Sequence, residues 1–158
     1  MAESEAGAAV YGTVIVGARR TVAHPPALVF ALLSDLDRHW PLLGGDLVEG
    51  GMLGGNEDSA ELILRGPLPG FERCVRTRVT HSTPDTAFGG VAVAGSTEAT
   101  IDWRLAPASG GATEVALDVG ITPGGLRDRL LVATARVWLE RRCRRVLIRL
   151  ADELGAGR

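Results

Sequence analysis

Apolar residues recur along this chain with two different spacings, and the order in which those spacings change predicts a fold. From Tyr11 to Val22 the apolar residues Val14, Val16, Ala18 and Val22 take the even positions among β-branched neighbours, the period of a first strand. Ala23-His24-Pro25-Pro26 ends it, because proline removes a ladder donor and disfavours helix in the residue before it. The proline pair then opens a helix carrying Leu28, Val29, Leu32 and Leu33 at helical spacing. Ser34 or Asp35 caps a second short helix that holds Leu36, His39 and Trp40 and is expected to end at Pro41 and the Gly44-Gly45 pair.

Beyond that point the period becomes two. Asp46 to Met52 reads as a short strand, and Ser59 to Leu64 sets Ala60, Leu62 and Leu64 against Ser59, Glu61 and Ile63. A turn is expected at Gly66-Pro67-Leu68-Pro69-Gly70. The next strand places Phe71, Arg73, Val75, Thr77 and Val79 on one face, with Glu72, Cys74, Arg76 and Arg78 on the wet face. Residues 86–94 form a Gly/Ala-rich strand whose Gly89-Gly90 pair marks a bulge or a bend. Two further strands alternate cleanly, Ala99, Ile101, Trp103 and Leu105 in the first, Val115, Leu117, Val119 and Ile121 in the second.

From Leu126 to about Leu154 no proline interrupts a helical stripe of Val132, Ala135, Leu139, Cys143, Val146, Leu147, Leu150 and Leu154. At about 1.5 Å per residue such a helix runs on the order of 43 Å, the span of a whole domain. An antiparallel sheet with one apolar face needs a cover, and this helix is the element long enough to supply it. The expected class is therefore α+β: a helix-grip domain, with a curved antiparallel sheet of about six to seven strands around a long C-terminal helix and two short helices after the first strand. Residues 10–154 form that single domain, 1–9 a flexible N-terminal segment and 155–158 a tail.

Composition narrows the class without changing the fold. The chain has 158 residues, 46% hydrophobic and 23% charged, ordinary for one globular domain. No run reaches the roughly 18 apolar residues of a membrane span, and the first residues lack the pattern of a secretory leader. Cys74 and Cys143 form no CxxC pair, which fits a reducing, cytoplasmic setting with both thiols buried. All 17 basic residues are arginine, a skew that weakens any reading of arginine clusters. The run Arg141, Arg142, Arg144, Arg145 and Arg149 reads as a solvated helix face pairing with acidic strands, and with a pI near 5.9 nucleic acid is not an expected partner.

The element order, together with Ala23, Pro25, Val29, Phe30, Asp35 and Trp40 in TVAHPPALVFALLSDLDRHWPLLGG, resembles the START-like or SRPBCC superfamily, and within it the bacterial polyketide cyclase/dehydrase-like proteins. His24 and the doubled proline depart from the plainer Ala-Pro, so the likeness carries the fold and no particular subfamily. It implies a cavity between sheet and long helix that holds lipids, sterols, polyketides or other hydrophobic molecules.

Inward parity nominates the candidate pocket wall: Trp103 first, then Phe71, Val75, Phe88, Leu62, Ile101 and Leu117, each of which packing alone would also explain. Arg73 shares that face, so it either sits in water at the cavity mouth or pairs with an acid or an anionic ligand group. His39 and Trp40 flank the opening; His39 reads as a surface histidine beside a packed tryptophan, or as a proton carrier. The sequence has no metal-ligand spacing, dinucleotide fingerprint or nucleophile elbow, so neither metal nor cofactor is expected. Three functions follow. The first is binding or carriage of a small hydrophobic or amphipathic molecule. The second is polyketide cyclase, aromatase or dehydratase chemistry using Arg73 with His39 or Thr77. The third is an interaction module whose cavity its own side chains fill, a reading compatible with a homodimer.

Overall fold

The computed structural model describes residues 13–44, 48–55, 58–65 and 72–157. Strand β1 (Val14–Val22) is followed by helices α1 (Pro26–Ser34) and α2 (Leu36–Gly44). Strands β2 (Val48–Gly55), β3 (Ser59–Arg65), β4 (Glu72–Thr83), β5 (Ala87–Ala94), β6 (Thr97–Pro107) and β7 (Thr113–Thr122) come next, and helix α3 (Leu126–Ala156) ends the order. The seven strands form one antiparallel sheet in the order β1-β7-β6-β5-β4-β3-β2, so the first strand closes against the last and β1 and β2 are the edges. This is the helix-grip architecture expected from the alternating periods. The N-terminal segment, the turn at 66–70, Phe71 and Arg158 lie outside the described residues.

The parity of the strands decides which side chains face the concave side, where α1, α2 and α3 cover them. Val16, Val22, Ala60, Leu62, Val75, Phe88, Ile101, Trp103, Leu105, Val115 and Leu117 are all buried on the concave side. Cys74, on the opposite parity of β4, is exposed; the expectation that both thiols are buried fails there, whereas Cys143 is buried in α3. In β4 the register shifts between Val79 and His81, opposite Gly90 and Gly89, so the glycine pair sits across from a bulge. A Cβ at Gly90 would overlap the Arg78 carbonyl.

Helix α1 begins as the prolines dictate, with Pro25 extended and Pro26 in the first turn. Asp35 opens α2: its carboxylate accepts from the Asp37 amide at 3.2 Å and its carbonyl from the His39 amide at 2.8 Å. Pro41 does not end α2, which continues to Gly44. Burial of Trp40 and Leu42 holds the turn on either side of the lost hydrogen bond, so packing overrides the proline. In α3 the apolar stripe is fully buried only in its second half, at Cys143, Val146, Leu147 and Leu150, while Leu126, Leu130, Val137 and Trp138 stay exposed.

An ion-pair cluster fixes the first turn of α3. Arg73 of β4 donates two hydrogen bonds to the Asp128 carboxylate, at 2.9 and 2.6 Å. The Thr97 hydroxyl donates to the same carboxylate and accepts from the Gly124 amide at 3.2 Å. The Arg73 guanidinium and the Thr97 hydroxyl hold the Asp128 carboxyl down at about 2. Arg73 thus takes the acid-paired alternative rather than standing in water at the mouth.

Candidate functional site

Between the sheet and α3 lies a cavity of about 250 Å³. Val16, Leu62, Val75, Ile101, Leu117 and Val119 supply its sheet wall, with Ala92 and Ala99 leaving the space that larger side chains would fill. Trp138, Leu139, Cys143 and Val146 supply the helix wall, and Trp40 and Leu43 of α2 close one side. Among the described residues Arg142 is the one charged residue lining it, its guanidinium 5.5 Å from the centre of the Trp138 ring, a cation–π distance. Burial raises the Cys143 thiol to about 11, with Asp118 and Glu140 adding to the effect, so at neutral pH the wall presents a thiol and not a thiolate. The Trp40 indole N–H is buried without an acceptor among the described residues.

Of the residues nominated from sequence, Leu62, Val75, Ile101, Leu117 and Trp40 line this cavity, and Phe71 lies outside the described residues. Trp103 does not line it. Parity turns Trp103 inward as expected, but α1 packs on this part of β5 and β6, so the ring is fully buried under the short helices. Its indole donates to Nε2 of His39 at 3.2 Å. His39 is therefore neither a surface residue nor exposed to a proton source: only 2% of it reaches solvent. It stacks on Trp40 at 5.1 Å, with Phe88 at 5.3 Å and Trp103 at 5.9 Å around it. Desolvation lowers its pKa to about 4; the Leu33 backbone opposes this, and among the described residues Nδ1 makes no bond of full hydrogen-bond geometry. Because Nε2 accepts, the neutral ring carries its proton on Nδ1. Phe88 packs edge-on against Phe30 at 6.3 Å, also away from the cavity. Arg73 is spent on Asp128 at the start of α3.

Trp138 and Arg142 were missed because each lies one residue off the apolar stripe, beside Leu139 and Cys143. An aromatic and an arginine four apart on one helix flank was the available signal.

The sequence from residue 13 to 155 matches the family model described as polyketide cyclase / dehydrase and lipid transport. The chain belongs to this family. A comparison with curated proteins finds no match. Among solved structures it is similar to the Zhui aromatase/cyclase from Streptomyces sp. R1128, at TM-score 0.65 and 17% identity over 90% of this chain and 94% of that one. It is also similar to DR_A0006 from Deinococcus radiodurans, at 0.66 and 18% over 92% and 100%. A third is Ara h 8.0201, at 0.59 and 13% over 89% and 99%. At these identities the likeness is one of fold. Family and fold together support a role in hydrophobic ligand binding or polyketide cyclisation, and among the described residues no helix is long and apolar enough to cross a membrane.

Proposed function

We infer that the chain binds and carries a compact amphipathic molecule in the cavity between the sheet and α3, without transforming it. The observation that carries this reading is the lining itself. Among the described residues it is apolar on both walls, with Arg142 at one position and a protonated Cys143 thiol as the other titratable group. Aldol closure or dehydration needs a base beside the reacting methylene. His39 and Arg73, the groups proposed for that work from sequence, are held behind Trp40 and against Asp128 respectively. At about 250 Å³ the space falls just under the usual range of roughly 300–1,000 Å³ for small-molecule sites, which favours a medium-chain acid or a single aromatic ring over a sterol. A carboxylate or carbonyl on the ligand would meet Arg142 or the Trp40 N–H. The cyclase reading rests on the family description and on the fold shared with Zhui aromatase/cyclase.

The test fills the space. Ala99, on the sheet wall, is replaced by Phe and both proteins are titrated with decanoate and with the fluorescent probe anilinonaphthalene sulfonate. The expected result is saturable binding to the parent protein and at least tenfold weaker binding to a folded Ala99→Phe variant. Equal affinity in both proteins, or none in either, overturns the reading; turnover of a model poly-β-ketone by the parent protein favours the cyclase.

A further inference from the structure

A second concave feature follows the free edge of the sheet. Among the described residues strand β1 is outermost and pairs with β7 alone, while α3 packs along it. Residues 17–20 of β1, Asp118 of β7, and Arg144, Leu147 and Ile148 of α3 line an open groove of about 670 Å³. A groove on a sheet face would be lined by alternate residues of a strand. Four consecutive residues mean that this one runs along the strand edge, where an antiparallel strand turns the N–H and C=O of every second residue outward.

The charge of the groove is one-sided. Arg19, Arg20 and Arg144 line it, all three are exposed, and none pairs with a carboxylate among the described residues. Its carboxylate, Asp118, is already held by Arg104. Arg141 and Arg145 are exposed on the same part of α3. The helix arginines are thus the solvated face expected from the sequence, but Arg141, Arg144 and Arg145 lack the expected pairing with acidic strands among the described residues. In a chain of net charge −2 this is a local excess of positive charge, whereas Arg38 pairs with Glu153, Arg76 with Glu61 and Arg136 with Glu140 elsewhere. Arginine along an open edge opposes pairing of two copies of that edge, because like charges would face each other. The same charges reward a strand of opposite sign. Ile148, 45% exposed, adds an apolar contact beside them.

We propose that the free edge of β1, with Arg19, Arg20 and Arg144, docks an extended acidic segment of a partner protein as an added strand. Main-chain hydrogen bonds to β1 supply the alignment, and carboxylates on the arginines select the sequence. This site is separate from the cavity and stands or falls independently of it.

A capped eight-residue peptide of alternating Glu and Val is titrated into isotopically labelled protein at low salt and followed by amide shifts and hydrogen exchange. The expected outcome is saturable binding, shifts over residues 14–20, and new protection of alternate β1 amides. Arg20→Glu or Arg144→Glu, both surface changes that leave the melting curve in place, should weaken the peptide roughly five- to tenfold, the effect of one lost exposed charge pair plus the repulsion that the reversed charge adds. The matching Lys and Val peptide should not bind. Absence of saturable binding, or binding indifferent to both variants, overturns the proposal. Inorganic phosphate that displaces the peptide while β1 amides gain no protection also overturns it, in favour of a small-anion site. So does a dimer in sedimentation that the peptide leaves intact.

Discussion

A proton placed on His39 would create a charge among the rings of Trp40, Phe88 and Trp103, and that cost is what lowers its pKa to about 4. The unfolded chain protonates this histidine near its ordinary 6.5, while the folded protein resists until about 4. Between those values the unfolded state binds more protons, so stability is complete above about pH 6.5 and falls as pH drops toward 4, by at most about 1.4 kcal/mol per pH unit. Urea midpoints of the parent protein should show this slope and those of His39→Gln should not. Parallel curves for the two proteins would refute the assignment of a buried neutral imidazole. None of this is legible locally: DRHWP looks like a surface helix end, and only the docking of α2 beneath β6 turns His39 into an acceptor for Trp103.

At the scale of elements, two devices hold strands and helices in register. The first is the tie from Arg73 through Asp128 to Thr97, which joins β4, the start of β6 and the first turn of α3. The Asp128 carboxyl is held at about 2, below its ordinary 3.8, so its contribution is present above about pH 4 and disappears as pH falls toward 2. Asp128→Asn should remove that acid-side loss, cost about 1–2 kcal/mol at neutral pH, and speed amide exchange in the first two turns of α3. An unchanged exchange profile would mean the tie is incidental. The second device is the close approach of β5 to the β4 bulge. Gly90→Ala should destabilise by more than about 2 kcal/mol in chemical denaturation, because the clashing atom belongs to the Arg78 backbone and cannot rotate away. A change under about 0.5 kcal/mol would show that the bulge relaxes freely. The glycine pair was readable as a bulge or bend, but its partner strand was not, since register depends on contacts between strands.

The whole molecule couples cavity and stability. A ligand that binds only the folded chain adds about 2.7 kcal/mol at a hundred times its Kd, which for a domain of this size raises Tm by roughly 5–10 °C. Decanoate should give such a concentration-dependent shift in scanning calorimetry, whereas cholesterol sulfate, too large for about 250 Å³, should leave Tm unchanged. The reverse order would show that sheet and α3 part to admit a larger guest. The exposed first half of α3, with Trp138 at the cavity wall, is where such parting would begin.

The sequence by itself determined the order of elements, the face that β1 and β3 to β7 turn inward, and the helix that covers them, because periods of two and 3.6 are imposed by backbone geometry. It also marked Arg73 as a charge on the inward face that had to be either solvated at the mouth or paired, and left that choice open. Tertiary structure decided which inward residues meet space and which meet other side chains. Trp103 and Ile101 share a strand and a parity, yet the first packs beneath α1 and α2 while the second faces the cavity. It also decided that the charge on the cavity wall is Arg142 and that Arg73 serves α3. A cavity is the gap left among elements far apart in sequence, and no local spacing encodes where that gap falls.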